Sequence, residues 1–327
     1  MESVRLQKVA RTIVEKFACV KEGEDALVLS DTSVEPSIIQ ALWGAADAVG
    51  ARAQMLVMSS ATRPWQPPPK IVQQACFASD VLIRVTGLYD WGYIPFAEEV
   101  HKYTREAIVY KPTVDTLLRL YDFDVEKMLK EVATVSKLYE EHKNVHITSQ
   151  TGTDLTFRIV DTIMDDDGVV KDKGEWSFLP GGNPSVCAVP GTGEGKLVFD
   201  GTFGDSGIMT PVVLKSNMEL TVRKGMITEI RGGEEAKRFE SWARALGDQN
   251  IFNCPAEFGL GLLDTAWMSE LLLIAERVRG AIHVGIGSNL SIPGGTVAAK
   301  HHLDGLISKP TLTLDNITIV ENGELEI

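Results

Sequence analysis

The feature that most constrains this chain is the alternation, over residues 4–110, of short continuous apolar runs with stretches of helical periodicity. Ala26-Leu27-Val28-Leu29-Ser30, Ala53-Gln54-Met55-Leu56-Val57-Met58, Val81-Leu82-Ile83-Arg84-Val85 and Ala107-Ile108-Val109-Tyr110 each predict a short strand. Helical spacing recurs between them over 36–49, 69–77 and 95–104, after a first helix at 4–19 that sets Leu6, Val9, Ile13, Val14 and Phe17 on one face. Strands that are apolar throughout are buried on both faces, and parallel neighbours need a crossover connection. The pattern therefore predicts an open, mainly parallel α/β sheet covered by helices.

The signal then changes. A long amphipathic helix is predicted over 124–142, with Val125, Met128, Val132, Val135 and Tyr139 inward. Beyond it come β-type segments at 145–148, 154–159 and 196–200, and a hairpin of 218–222 with 226–230 around Arg223-Lys224-Gly225. Helices are expected at 234–247 and 267–279. The expected organisation is an N-terminal α/β domain, 1–140, followed by a sheet-rich α+β domain that carries a metal site, 141–327.

Open parallel sheets usually bind ligands outside the carboxyl ends of their strands. No Gly-x-Gly-x-x-Gly or Walker sequence follows any of the four strands, so a nucleotide cofactor is not supported. Pro64-Trp65-Gln66-Pro67-Pro68-Pro69 suits a stiff loop or the rim of a site, and Tyr89-Asp90-Trp91-Gly92-Tyr93 suits a stacking surface or core filling. A net charge of −13 without a Lys/Arg block argues against nucleic acid. No run approaches the roughly 18 apolar residues of a membrane span, and a soluble, cytoplasmic protein is expected. Cys19, Cys76, Cys187 and Cys254 form no Cys-x-x-Cys pair, which fits reduced thiols and not a cysteine zinc site.

Chemistry concentrates in three C-terminal segments. In His301-His302-Leu303-Asp304, His302 and Asp304 share a face if the segment is extended, and His301 then points away. Glu257 lies in the apolar run Pro255-Ala256-Glu257-Phe258-Gly259-Leu260-Gly261, where a carboxylate needs a cation, a basic partner or a proton. His283, in Ile282-His283-Val284-Gly285-Ile286-Gly287, is either a hydrogen-bonded core residue or a ligand. One Glu, two His and one Asp make a common nitrogen/oxygen donor set for zinc, manganese, cobalt or ferrous iron.

These segments follow Val145-His146-Ile147-Thr148, Gly152-Thr153-Asp154-Leu155, Asn183-Pro184-Ser185-Val186-Cys187-Ala188-Val189-Pro190 and Glu194-Gly195-Lys196-Leu197-Val198-Phe199-Asp200. In that order the motifs resemble the aminopeptidase T superfamily, which also includes the 2,5-dihydroxypyridine dioxygenases. For the peptidase branch the resemblance implies a two-metal site with Glu257, His283, His302 and Asp304 among its ligands. It also implies a glutamate where this chain has Ser185, and a tyrosine that Ser288-Asn289-Leu290-Ser291 lacks. For the dioxygenase branch it implies ferrous iron on two histidines and an aspartate, with Glu257 standing where one histidine belongs, so that either Glu257 ligates in its place or His283 is drawn in to restore the second histidine.

More of the peptidase ligand types survive residue by residue. The expected function is accordingly a metal-dependent hydrolase using zinc, cobalt or manganese, with Glu257 and His283 as its catalytic residues, acting on a small molecule or short peptide. A ring-cleaving Fe(II) dioxygenase is the alternative, and a non-catalytic metal-binding protein the third reading. A homodimer is expected from the resemblance.

Overall fold

The computed structural model describes residues 2–61, 66–87, 95–205 and 209–327. The described chain divides into two compact units, residues 1–125 with 168–181, and residues 126–167 with 182–327. The seam thus falls at the start of the long helix Val125–Glu141, and a segment from beyond that helix returns to the first unit. Pro64-Trp65 and Tyr89–Tyr93, singled out above as possible site rims, lie outside the described residues.

The first unit contains the predicted parallel sheet. Its spatial order is Arg52–Met58, Asp25–Asp31, Val81–Thr86, Arg105–Tyr110 and Trp176–Phe178, every pair parallel. The central strand Val81–Thr86 is buried at every position, Arg84 and Thr86 included. Leu27, Leu29 and Leu82 pack against Val72 and Cys76 of the helix Lys70–Phe77 and against Phe96, Ala97 and Val100 of Pro95–Val100. Beyond the carboxyl end of the strands, buried Asp31 accepts hydrogen bonds from Ser33, from the Ser60 hydroxyl and from the Gly87 amide, tying three successive loops together.

The second unit is built on a large antiparallel sheet. The hairpin Met218–Arg223/Met226–Arg231 turns at Lys224 and Gly225, both at positive φ, the geometry that matches strand twist in a two-residue turn. The predicted helix over 267–279 is reduced to Leu272–Ala275. The cause is a competing pairing: the Leu263 amide donates to the Arg277 carbonyl, and the Arg279 amide to the Leu263 carbonyl. Backbone groups needed to continue the helix are spent on that bridge, so its apolar stripe is buried without it.

The part of this sheet that concerns function runs Thr202–Gly204, His302–Ile307, Ile282–Gly287, Glu257–Leu260, Ser185–Ala188 and Asp154–Met164, each strand antiparallel to its neighbour. Strands from widely separated sequence positions are thereby laid side by side.

Candidate metal centre

Register decides which side chains meet. Ser185 pairs with Gly259 and Gly259 with His283, while Cys187 pairs with Glu257 and Gly285 with Asp304. Residues directly opposed across antiparallel strands share a face, and so do residues two apart. Ser185, Glu257, Gly259, His283, Gly285, His302 and Asp304 therefore all belong to one face of the sheet. The His302–Ile307 segment is a strand, so the condition for His302 and Asp304 to converge is met. His301 lies away from them, its ring 5.2 Å from that of Trp242.

The donor atoms of Glu257, His302 and Asp304 lie within 4.8 Å of one another, the one such group of three among the described residues. His302 Nε2 is 3.1 Å from Asp304 Oδ1 and 3.2 Å from Glu257 Oε1. Its other nitrogen, Nδ1, is 2.6 Å from the Ser288 carbonyl, a bond in which Nδ1–H donates. That bond fixes the ring and turns Nε2 towards the carboxylates, the usual support of a metal-ligating histidine. His283 stands beside this group: its Nε2 meets Glu257 Oε1 at 3.4 Å. The structure thus gathers three of the four predicted ligands round one point and places His283 against the far carboxylate.

The electrostatics fit a cation. Burial alone would push the Glu257 carboxyl up, but hydrogen bonds and charge from His283 and His302 hold it below the usual carboxylate range. Burial disfavours the charged form of His302, and Asp304 with Glu257 outweigh it, raising its pKa well above the ordinary histidine value. Glu276 was missed in the sequence because it ends an apolar helical run. Its carboxyl is pushed up to about 7, first by burial and then by the negative charge of Asp304. Glu257 Oε2 is buried without a hydrogen-bond partner, an arrangement a coordinated cation would satisfy.

A glycine makes the arrangement possible. A Cβ at Gly285 would stand 2.8 Å from both Glu257 Cγ and His302 Cε1, so no other residue can sit between those ligands without moving them. Gly285→Ala is expected to lower divalent-metal affinity by about 10- to 100-fold, the cost of disturbing the support of a metal ligand. Titration of the metal-free protein with a chromogenic chelator as competitor reads this directly, and wild-type affinity in the variant would contradict the geometry.

Comparison with known proteins gives the class first. The fold is that of two solved structures: 2,5-dihydroxypyridine dioxygenase from Pseudomonas putida KT2440, with a TM-score of 0.80 at 20% identity over 99% of this chain and 97% of that one, and wild-type AmpT from Thermus thermophilus, with 0.75 at 14% identity over 100% of both. At those identities the likeness is one of fold, shared by a dihydroxypyridine dioxygenase and AmpT. The chain belongs to the NicX family, 2,5-dihydroxypyridine 5,6-dioxygenase, whose pattern matches residues 8–327. A Pseudomonas putida protein named 2,5-dihydroxypyridine 5,6-dioxygenase is 22% identical over 263 residues, 77% of this chain and 73% of that protein.

This overturns the expectation of a metal-dependent, aminopeptidase-like hydrolase. The family match and the named relative both lie on the dioxygenase side, and the likeness to AmpT is one of fold. Counting surviving ligand types misled because His283 is shared with the peptidase motif yet lies beside the three-residue group, while the bridging carboxylate expected at Ser185 is missing. Among the described residues no helix is long and apolar enough to cross a membrane.

Proposed function

We propose that this chain is a mononuclear, ferrous-iron dioxygenase that opens the ring of a hydroxylated pyridine. The observation that carries the reading is a single group of three ligand side chains, Glu257, His302 and Asp304, on one sheet face of a chain that belongs to the 2,5-dihydroxypyridine 5,6-dioxygenase family. Three protein ligands leave positions open on an iron ion, and a one-histidine, two-carboxylate set is a variant of the facial arrangement used by non-haem oxygenases. When bound, ferrous iron would supply the site for dioxygen and for the electron-rich ring.

The chain's own contribution is orientation and charge. The Ser288 carbonyl holds the His302 ring by Nδ1, so that Nε2 keeps its lone pair for the ion once its proton has left. Glu257 and Asp304 offset two positive charges and keep the ion on the sheet face. Glu257, standing where the resemblance puts a histidine, makes the site more anionic than a two-histidine centre would be.

The test is oxygen uptake by protein loaded anaerobically with ferrous iron and given 2,5-dihydroxypyridine. One dioxygen consumed per ring lost from the absorbance spectrum is expected, with no uptake by His302→Ala. Iron bound stoichiometrically without oxygen uptake on any hydroxypyridine offered would sink the reading.

A further inference from the structure

On the same sheet face, one residue pair along from the three metal-site side chains, lies a second polar group that the three-residue cluster does not use. Ser185 Oγ, Asn183 Oδ1 and His283 Nδ1 are each buried without a hydrogen-bond partner. The residues are 0%, 4% and 2% exposed. They surround one point: a Cβ built on Gly259 would stand 2.9 Å from Ser185 Cβ and 3.0 Å from Asn183 Oδ1, and would collide with His283 Cε1. A glycine among the three residues that carry these orphaned atoms keeps the sheet face open where any side chain would fill it.

Three unsatisfied buried atoms in one place are costly, and native structures resolve such a cost with a bound group. Their chemistry says which. Asn183 Oδ1 can only accept, and Ser185 Oγ can accept or donate. His283 directs Nε2 at Glu257 Oε1, which leaves Nδ1 as the ring nitrogen without a partner. An acceptor, a hydroxyl and a ring nitrogen ask for a small group that can both donate and accept, which describes a hydroxyl group or water.

We propose that Asn183, Ser185 and His283, gathered around Gly259, form a hydroxyl-binding subsite beside the metal centre, holding water in the resting protein and a ring hydroxyl of the substrate in the complex. The second half rests on the function proposed above; the first does not. Recognition by groups that are orphaned without their partner discriminates strongly against an analogue that lacks it. The three residues are then specificity-determining and not catalytic.

Two measurements decide it. A high-resolution crystal structure of the metal-loaded protein without substrate should show an ordered oxygen within hydrogen-bonding distance of Ser185 Oγ and at least one of the other two atoms. Those atoms paired among themselves or with protein, with no oxygen between, would overturn the subsite. Anaerobic calorimetry then compares 2,5-dihydroxypyridine with its two monohydroxy analogues on wild type, Ser185→Ala and Asn183→Leu. The variants should weaken the dihydroxy compound about tenfold and leave one monohydroxy analogue within about twofold.

Equal weakening of all three ligands, or of none, overturns the ring-hydroxyl half and leaves the subsite to water. If wild type binds no hydroxypyridine, the proposed function fails and the ring-hydroxyl half falls with it, while the crystal structure still decides the subsite. Thermal melting separates folding from recognition: the bound-oxygen proposal expects Ser185→Ala to keep or lower Tm. A clear rise would mean the hydroxyl was a bare, unsatisfied group and would overturn it.

Discussion

Asp304→Ala is expected to leave the protein folded and unable to retain a divalent ion, with oxygen uptake lost in step. Asp304 Oδ1 lies 3.1 Å from His302 Nε2, and its strand is hydrogen-bonded on both sides, to Ile282–Gly287 and to Thr202–Gly204. The backbone that positions His302 therefore does not depend on the aspartate side chain. Removing one of three ligands should cost more than the roughly 10- to 100-fold that loss of a supporting group costs. The metal-free protein should change little, because the loss of the bond from His302 to Asp304 is offset by relief of the repulsion that Asp304 exerts on Glu276. A Tm change of less than about 3 °C, equivalent to roughly 1 kcal/mol, is expected in the absence of metal. Elemental analysis after dialysis, beside a melting curve, separates the two effects. Full metal occupancy in both Asp304→Ala and His302→Ala would remove the site from this face.

How much of this could be read from the sequence depended on whether the information was local. The four strands of the parallel sheet came through because each is a short, mostly apolar run between helical stretches, with three of the four buried nearly throughout. Trp176–Phe178 did not, since three residues carry no periodicity and its place beside Arg105–Tyr110 is set by tertiary pairing alone. The same limit shaped the site. His302 and Asp304 were legible as a pair because two residues on one strand share a face. Their meeting with Glu257 depends on register between strands some fifty residues apart, which no spacing rule contains.

The glycines held information that spacing arguments passed over. Gly259 and Gly285 look like ordinary strand interruptions, yet each marks a point where side chains from neighbouring strands cross above the backbone. Ser185, treated only as an absent carboxylate, proves to be half of a question whose other half is His283, across Gly259 from it.

The largest stability effect is expected far along the chain from the metal centre, at Glu106. Its carboxylate is completely buried, accepting from Arg84 Nε at 2.6 Å and bonded to His101 Nε2 at 2.8 Å. Arg84 and Glu106 lie on adjacent parallel strands, where Glu106 pairs with Leu82, so the ion pair spans the diagonal of one sheet face. Glu106→Ala would remove the buried carboxylate that the Arg84 guanidinium is bonded to, and about 3–5 kcal/mol of destabilisation is expected. Replacing both partners together, Arg84→Met with Glu106→Leu, should restore most of that, because the cost lies in removing one partner of a buried pair alone. Acid should act in the same direction as the single substitution. Burial pushes the Glu106 carboxyl up, but Arg84 and then His101 more than offset it and hold it below its ordinary value. A carboxyl depressed on folding contributes stability above its unfolded pKa of about 4.3, and that contribution is lost as pH falls through the folded value. Urea denaturation followed by circular dichroism at pH 7 and at pH 3 should therefore show wild type losing more stability on acidification than the double variant. A single variant as stable as wild type at pH 7 would mean that the pair is not what holds these two strands in register.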